Sequence, residues 1–362
     1  MKILIVFNHP APYKVDLFNE LAKSNDLTVL FERETCSNRP LEFYSKKDYN
    51  FEHIFLKAGS FSEENCASSD VKNYIKNFHD KFDLIIMNGY STFAEIKAIN
   101  YMIRNKIPYS LYINGGVVRR EFLFKKLLKT KLIAHAQYYF SPCEKADEYL
   151  LHYKANKSSI FHYTYSTVFE SDLCVKPLSD VEKQNLRDFY HLPKGKLFVT
   201  AGQFIKRKNL KQTIRLFDKV DGSLLLIGNG PLRASCIEYA KKKHLKNIYF
   251  IGYLEKKDLF DVLKVCDYYL FLSKEDIYGH ATNEAFANAL PVIASNKVVS
   301  AHALIKDGFN GYIVDLKNDK NIIEKLNKLE NSMQINALFT AKNNTIERSV
   351  KDHNAIFEKI KK

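Results

Sequence analysis

Tryptophan is absent from this sequence, and glycine is scarce, at 13 of 362 residues. No apolar run approaches the roughly 18 residues that a membrane-spanning helix needs, so no such helix is expected. The six cysteines, Cys36, Cys66, Cys143, Cys174, Cys236 and Cys266, form no C-x-x-C pair, and none stands at metal-ligand spacing from a histidine. They read as scattered reduced thiols of a cytoplasmic protein. No RNP-type sequence, zinc-finger spacing or basic-region heptad is found, which argues against nucleic acid as a partner. The opening Met1–Phe7 is apolar for five residues before Asn8, His9 and Pro10 end it, too early for a signal peptide. Low-complexity tracts and short internal repeats are also missing.

What the sequence does hold is enough apolar material for two cores. Apolar residues make up 46% and charged residues 27%, with 26 Phe and 22 Tyr. A chain of this length fits two domains better than one. The formal net charge is +14. Such an excess suits anionic small substrates or an anionic membrane surface, and equally a solvated lysine-rich face.

Short apolar runs alternate with amphipathic stretches throughout, the pattern of parallel sheets with crossover helices. In the first half the expected strands are 2–7, 27–31, 53–56, 83–87, 109–113 and 138–141, with helices at 13–23, 91–104 and 143–152. The second half repeats the grammar with strands at 197–201, 223–227, 247–251, 268–272, 291–294 and 311–314. Its helices fall at 210–219, 232–243, 257–265, 283–288 and 321–330, with a last one near 346–361. The stretch 163–194 lacks a strong period and reads as a connection plus a lead-in helix. The expected division is 1–165, 166–345 and a C-terminal helix, 346–362, that crosses back to the first domain. Open α/β sheets bind ligands at the carboxyl ends of their strands, where strand order switches, so the loops after the strands are the places to look.

The most informative loop runs from Ser273 to Ser295. A buried strand ends in a polar loop in which Asp276 comes first and Gly279 permits a tight turn. A helix is expected from Ala281, and its free N–H groups suit a phosphate or a sugar hydroxyl. Glu284 lies about one turn inside it. By pattern alone, an ordinary acidic loop fits as well. A second loop, Thr200-Ala-Gly-Gln-Phe-Ile-Lys-Arg-Lys-Asn209, places three cations between a strand and a helix. Two further segments are Leu225-Leu-Ile-Gly-Asn-Gly-Pro231 and Phe250-Ile-Gly-Tyr-Leu254.

In order and spacing these four blocks, over about 199–314, resemble retaining glycosyltransferases of family 4, which have the GT-B fold. The family's signature has two acids separated by seven positions and then Pro-Val-Ile-Ala-Ser. Here Glu284 is the second acid, and Asp276 stands where Glu is more usual. The family's loop cations on the donor diphosphate correspond to Gln203, where Arg is usual, and to Lys208; Arg207 or Lys206 supplies the missing charge. The resemblance implies two Rossmann-like, doubly wound α/β domains facing across a cleft. It implies donor contacts from Gly202, Arg207, Lys208, Gly228, Gly279, His280, Ala281, Thr282 and Glu284, with Asp276, Glu284 and Lys208 carrying the chemistry. Asn114, Gly115 and Gly116 follow a first-half strand and are the acceptor-side candidates, although a plain turn explains them too.

The implied reaction is transfer of a hexosyl or N-acetylhexosaminyl group with retention of configuration. The donor is a UDP-sugar, with a GDP-sugar as the alternative. No cofactor is expected: no Asp-x-Asp motif lies near these loops, and metal independence follows. The acceptor is a glycan or a polyprenyl-diphosphate-linked glycan of lipopolysaccharide, capsule or related surface polysaccharide. Two other readings share the architecture: a sugar-nucleotide 2-epimerase, and a non-catalytic partner subunit. Lastly, 119–131 mixes six cations with five large apolar residues. It suits either a surface helix packed on the first sheet or a peripheral contact with the anionic inner face of the cell membrane.

Overall fold

The computed structural model describes residues 1–36, 44, 48–57, 60–61 and 69–361. Cys66 lies outside them. The chain divides into two compact units, Met1–Ser166 with Ile346–Lys362, and Thr167–Thr345.

The first unit alternates strand and helix: β1 (Lys2–Phe7), α1 (Pro12–Ala22), β2 (Asp26–Phe31), β3 (Thr35–Cys36), β4 (Glu52–Phe55), β5 (Ser60–Phe61), α2 (Asp70–Phe78), β6 (Leu84–Met87), α3 (Phe93–Asn105), β7 (Ser110–Tyr112), α4 (Leu123–Ala134), β8 (Tyr138–Ser141), α5 (Glu144–His152) and β9 (Ile160–His162). Seven strands form a parallel sheet in the order β4-β2-β1-β6-β7-β8-β9, and β3 pairs with β5 apart from it. The central strands are apolar almost without interruption because helices cover both faces. In β1 only Lys2 is exposed, and Ile3, Leu4 and Val6 are fully buried. Helix α3 starts where the sequence provides a capping box. The Thr92 hydroxyl accepts from the Glu95 amide at 3.0 Å, and Glu95 Oε2 accepts from the Thr92 amide at 3.0 Å.

The second unit contains α6 (Asp180–Phe189), β10 (Leu197–Ala201), α7 (Leu210–Leu216), β11 (Ser223–Ile227), α8 (Arg233–Lys242), β12 (Ile248–Ile251), α9 (Lys256–Val265), β13 (Tyr268–Phe271), α10 (Ala281–Ala287), β14 (Val292–Ser295), α11 (Val299–Leu304), β15 (Gly311–Val314), α12 (Asp319–Asn327) and α13 (Ser332–Lys342). Its parallel sheet runs β12-β11-β10-β13-β14-β15. Strand order reverses between β10 and β13, so the crevice at their carboxyl ends is the topological switch point. The lead-in helix α6 is held by a buried charge cluster. Asp267, just before β13, accepts from Lys183 Nζ at 3.0 Å and Arg187 at 2.8 Å. Its carboxylate also accepts from the Leu197 amide at 2.8 Å, which ties α6 to two strands at once.

The chain then returns to the first unit with α14 (Ile346–Lys361). Its buried stripe is Ile346, Ser349, His353, Ile356 and Phe357, with Val350 and Ile360 half-buried at the margins. His353 lies flat against Tyr112, ring centroids 5.6 Å apart and planes 11° from parallel. The Asp352 carboxylate accepts from the Thr164 amide at 2.9 Å and the Thr164 hydroxyl at 2.7 Å. Asn354 meets Ser24 and Asn25 at the end of α1.

Candidate active site

The loops leaving β10 and β11 interlock. The Gly202 amide donates to Ile227 O at 2.9 Å, the Phe204 amide to Asn229 O at 2.8 Å, and the Leu232 amide to Phe204 O at 2.9 Å. Gly228 has a φ of +126°, and a Cβ there would lie 2.2 Å from Gly202 O, so no other residue fits this crossing. After Gly202 the chain makes one 3-10 turn, Lys206–Lys208, and Asn209 in the left-handed region begins α7. Asn209 Nδ2 donates to Leu272 O at 3.1 Å, and the Lys274 amide donates to Arg207 O at 2.7 Å. The cationic turn is thereby sewn to the loop that follows β13.

That loop holds the first acid. Asp276 Oδ2 accepts from Arg207 at 2.7 Å and from Lys208 Nζ at 2.8 Å. Lys208 also lies over the Phe271 ring, 4.6 Å from its centroid. The Lys208 and Asp276 side chains are only 14% and 13% exposed, against 42% for Arg207. Burial pulls the Lys208 ammonium below its ordinary value, against the opposing field of Asp276. Burial works to raise Asp276, but Lys208 and then Arg207 outweigh it and hold the carboxyl below the usual range. Two cations on one carboxylate oxygen make a site that favours additional negative charge.

Behind the loop, Gly279 has a φ of +98°, and a Cβ there would lie 2.5 Å from the Phe271 ring. Ser300 braces the turn: its hydroxyl donates to Gly279 O at 2.8 Å and lies 2.8 Å from the Thr282 hydroxyl. Thr282 is therefore fully buried and holds the loop, while His280 sits at the N-cap of α10 with its ring against Tyr278. Ala281 opens the helix, and Glu284 lies in its first turn. Burial raises the Glu284 carboxyl, opposed by the fields of Lys256 and Lys208. Thr167 Oγ1 lies 3.5 Å from Glu284 Oε1.

Lys256 is a residue of the candidate site that sequence reasoning missed. At the start of α9, it donates to Asp172 Oδ2 at 2.5 Å and to Thr167 O at 3.2 Å. Glu284 thus lies in the fields of two lysines, Lys208 and Lys256. Gln203 and Lys208 line one depression with Thr200, Gly202, Phe271 and Ser273. Of the cations offered for the missing charge at 203, Arg207 is the one on Asp276.

Asn114, Gly115 and Gly116 follow β7 in the first unit. Asn114 Nδ2 donates to Asn88 Oδ1 at 3.2 Å, so the ends of β6 and β7 are joined here. Gly116 lies flat on Tyr149: a Cβ would be 2.5 Å from that ring. The segment 119–131 departs from the packed-helix expectation. In α4 only Leu132 and Ile133 are buried, and Phe124, Leu127 and Leu128 face solvent.

Residues 182–346 match the family model described as glycosyl transferases group 1. Over 139 residues the chain is 26% identical to a glycosyltransferase of Methanocaldococcus jannaschii, covering 38% of this chain and 39% of that one. Over 174 residues it is 26% identical to the N-acetyl-alpha-D-glucosaminyl L-malate synthase of Bacillus anthracis, covering 42% and 45%. The chain thus spans less than half the length of these curated relatives. Among solved structures, sucrose-phosphate synthase from Thermosynechococcus elongatus superposes with a TM-score of 0.76 at 16% identity, over 99% of this chain and 98% of that one. Anabaena HepE in complex with UDP gives 0.75 at 14% identity over the whole of both chains. WaaG, a glycosyltransferase involved in lipopolysaccharide biosynthesis, gives 0.68 at 13% identity over 98% of both. With both sheets parallel and doubly wound, the chain has the GT-B fold of these structures, and its residues 182–346 are similar in sequence to group 1 glycosyl transferases.

Proposed function

We propose that this protein transfers a hexosyl or N-acetylhexosaminyl group, with retention of configuration, from a nucleoside-diphosphate sugar to a glycan or polyprenyl-diphosphate-linked glycan. The observation that carries this reading is the Lys208–Asp276–Arg207 cluster at the switch point, with Glu284 one short helix turn beyond. The donor diphosphate binds Lys208 and Arg207. Glu284 accepts hydrogen bonds from the ribose hydroxyls, and Asp276 from a hydroxyl of the transferred sugar. As the bond from the anomeric carbon to the β-phosphate oxygen breaks, charge grows on the leaving diphosphate, where the two cations stabilise it. The acceptor oxygen bonds to the same face of that carbon, and its proton passes to the departing phosphate. The protein's part is to position both partners and hold the charge.

A UDP-sugar is the proposed donor, supported by the similar fold of HepE, whose structure contains UDP. A GDP-sugar is the alternative. Lys208 and Arg207 supply the positive charge at the diphosphate, so the reaction is proposed to be independent of metal. The proposed setting is surface polysaccharide synthesis at the inner face of the cell membrane, with an anionic lipid surface as partner.

The test measures UDP release from a panel of UDP- and GDP-sugars, with and without lipid-linked and soluble glycan acceptors, with EDTA in parallel. Acceptor-dependent release that survives EDTA is expected. Consumption of UDP-GlcNAc without acceptor would identify an epimerase instead. Failure to bind any nucleoside diphosphate would leave only the partner-subunit reading.

A further inference from the structure

Among the described residues of the first unit, 117–128 form the most exposed apolar surface. Phe122 and Phe124 are each 87% exposed, Leu123 69% and Leu127 56%. Leu128, Val117 and Val118 add to the same stretch, and a contiguous exposed apolar patch of this kind marks an interaction surface. The cations Arg119, Arg120, Lys125 and Lys126 are exposed within it.

The one acid of the segment is withdrawn from this surface. Glu121, 7% exposed at its side chain, accepts from Lys129 Nζ at 2.7 Å and from the Tyr153 hydroxyl. Lys129 in turn lies over the Tyr153 ring at 5.1 Å. This cluster pins Glu121, just before α4, to Tyr153, just after α5, and draws the single acid of 117–128 away from the outward surface. Lys125 and Lys126 stand in the first turn of α4, which has no acidic residue. Cations there face the positive end of the helix dipole, an unfavourable placement in water. A layer of phosphates against the turn offsets both the dipole and the lysines.

We infer that 117–128 is a wedge that inserts into an anionic bilayer, with Phe122, Leu123, Phe124 and Leu127 below the headgroups and the four cations among the lipid phosphates. Charge complementarity and the high exposure of the Phe122 and Phe124 rings point to lipid as the occupant. The inference deepens the membrane partner of the proposed function and rests on its lipid-linked acceptor. Of the six cations in 119–131, Lys129 is engaged with Glu121, and the rings carry the insertion.

The absence of tryptophan makes the test direct, since Phe124→Trp places a single indole in the whole chain. Full-length protein is mixed with vesicles of neutral lipid alone or with 30% anionic lipid (a ~1 M salt wash included). The expected result is a blue-shifted emission, quenched by brominated acyl chains, on the anionic vesicles. Phe122→Ser with Phe124→Ser should weaken partitioning roughly a hundredfold, from the lost burial of two rings. Lys125→Glu with Lys126→Glu should weaken it by about 30-fold or more. All variants should keep wild-type melting temperatures, and UDP affinity measured by calorimetry should not move. Emission that stays at the solvent-exposed wavelength, or unchanged binding by the double serine variant, overturns the wedge. Lipid-free dimerisation that disappears in the serine variant assigns the face to a second copy and overturns it as well. Vesicle binding needs no donor, so failed transfer and failed insertion are separately visible.

Discussion

Acid should weaken the first unit through one buried imidazole. His353 is 1% exposed. Its Nδ1 lies 2.7 Å from Ser349 O and therefore carries the proton, leaving Nε2 to accept from the Tyr112 hydroxyl at 3.1 Å. Burial pushes its pKa from 6.5 to about 4, and the nearby Lys14 ammonium adds to that shift. The folded form therefore favours neutral imidazole. The stability this contributes is fully present above pH 6.5 and is lost as pH falls through 6.5 toward 4. With those two values, the cost at pH 5 is about 2 kcal/mol, and at pH 7 it is negligible. His353→Phe keeps the stack on Tyr112 but cannot titrate; losing the hydroxyl bond costs it about 1 kcal/mol at any pH. The wild type should be the more stable at pH 7 and the variant at pH 5, a reversal of about 2 kcal/mol in all. Urea melts of both proteins at the two pH values, followed by near-ultraviolet tyrosine dichroism, read this difference directly. A stability gap that is the same at pH 5 and pH 7 would refute the argument.

The opposite slope comes from two buried acids. Glu32 and Glu95 are raised by burial from 4.5 to about 8 and about 7, so their contribution is complete below pH 4.5 and lost as pH rises through those values. Glu32→Gln should flatten the fall in melting temperature between pH 6 and pH 9; an unchanged slope counts against it. Lys208→Ala should weaken UDP binding by about one to two decades but uridine binding little, because a charge-assisted bond of about 1.5–3 kcal/mol is lost only from the phosphate end; equal losses by calorimetry would reject the contact. Asp276→Asn and Glu284→Gln should each lower turnover by roughly one to two decades with the fold intact, and wild-type turnover in either removes that residue from the mechanism.

Much of the fold could be read from the chain because its strands are short and apolar on both faces. The run after Lys196 and the Pro291-Val-Ile-Ala stretch have no alternative in a protein of this pattern. Helix α13 escaped because its pattern is inverted: Ile335 and Phe339 are 65% and 61% exposed, while Gln334 and Ala337 are buried. The individual loops of the site were legible, but not how they meet. Lys208 and Asp276 are 68 positions apart and become neighbours only because β10 pairs with β13. Lys256 looks in sequence like any lysine at a helix start, and only the packing of α9 beside Thr167 gives it a role. In 119–131, Glu121 and Lys129 meet Tyr153, just after α5, a contact that spacing does not reveal.

The division of the chain has a consequence for its synthesis. The second unit, Thr167–Thr345, is complete when Thr345 has left the ribosome, whereas the first still lacks α14. Domains generally fold as units while the chain emerges. Here the earlier-made one must wait, with Tyr112, Phe140 and the end of α1 uncovered, until the later one has been built. A nascent chain stalled between Thr345 and Lys361 would then present a finished second unit and an unfinished first. Chaperone recruitment during translation should concentrate on the first half of the message's product and end when His353 takes its place against Tyr112.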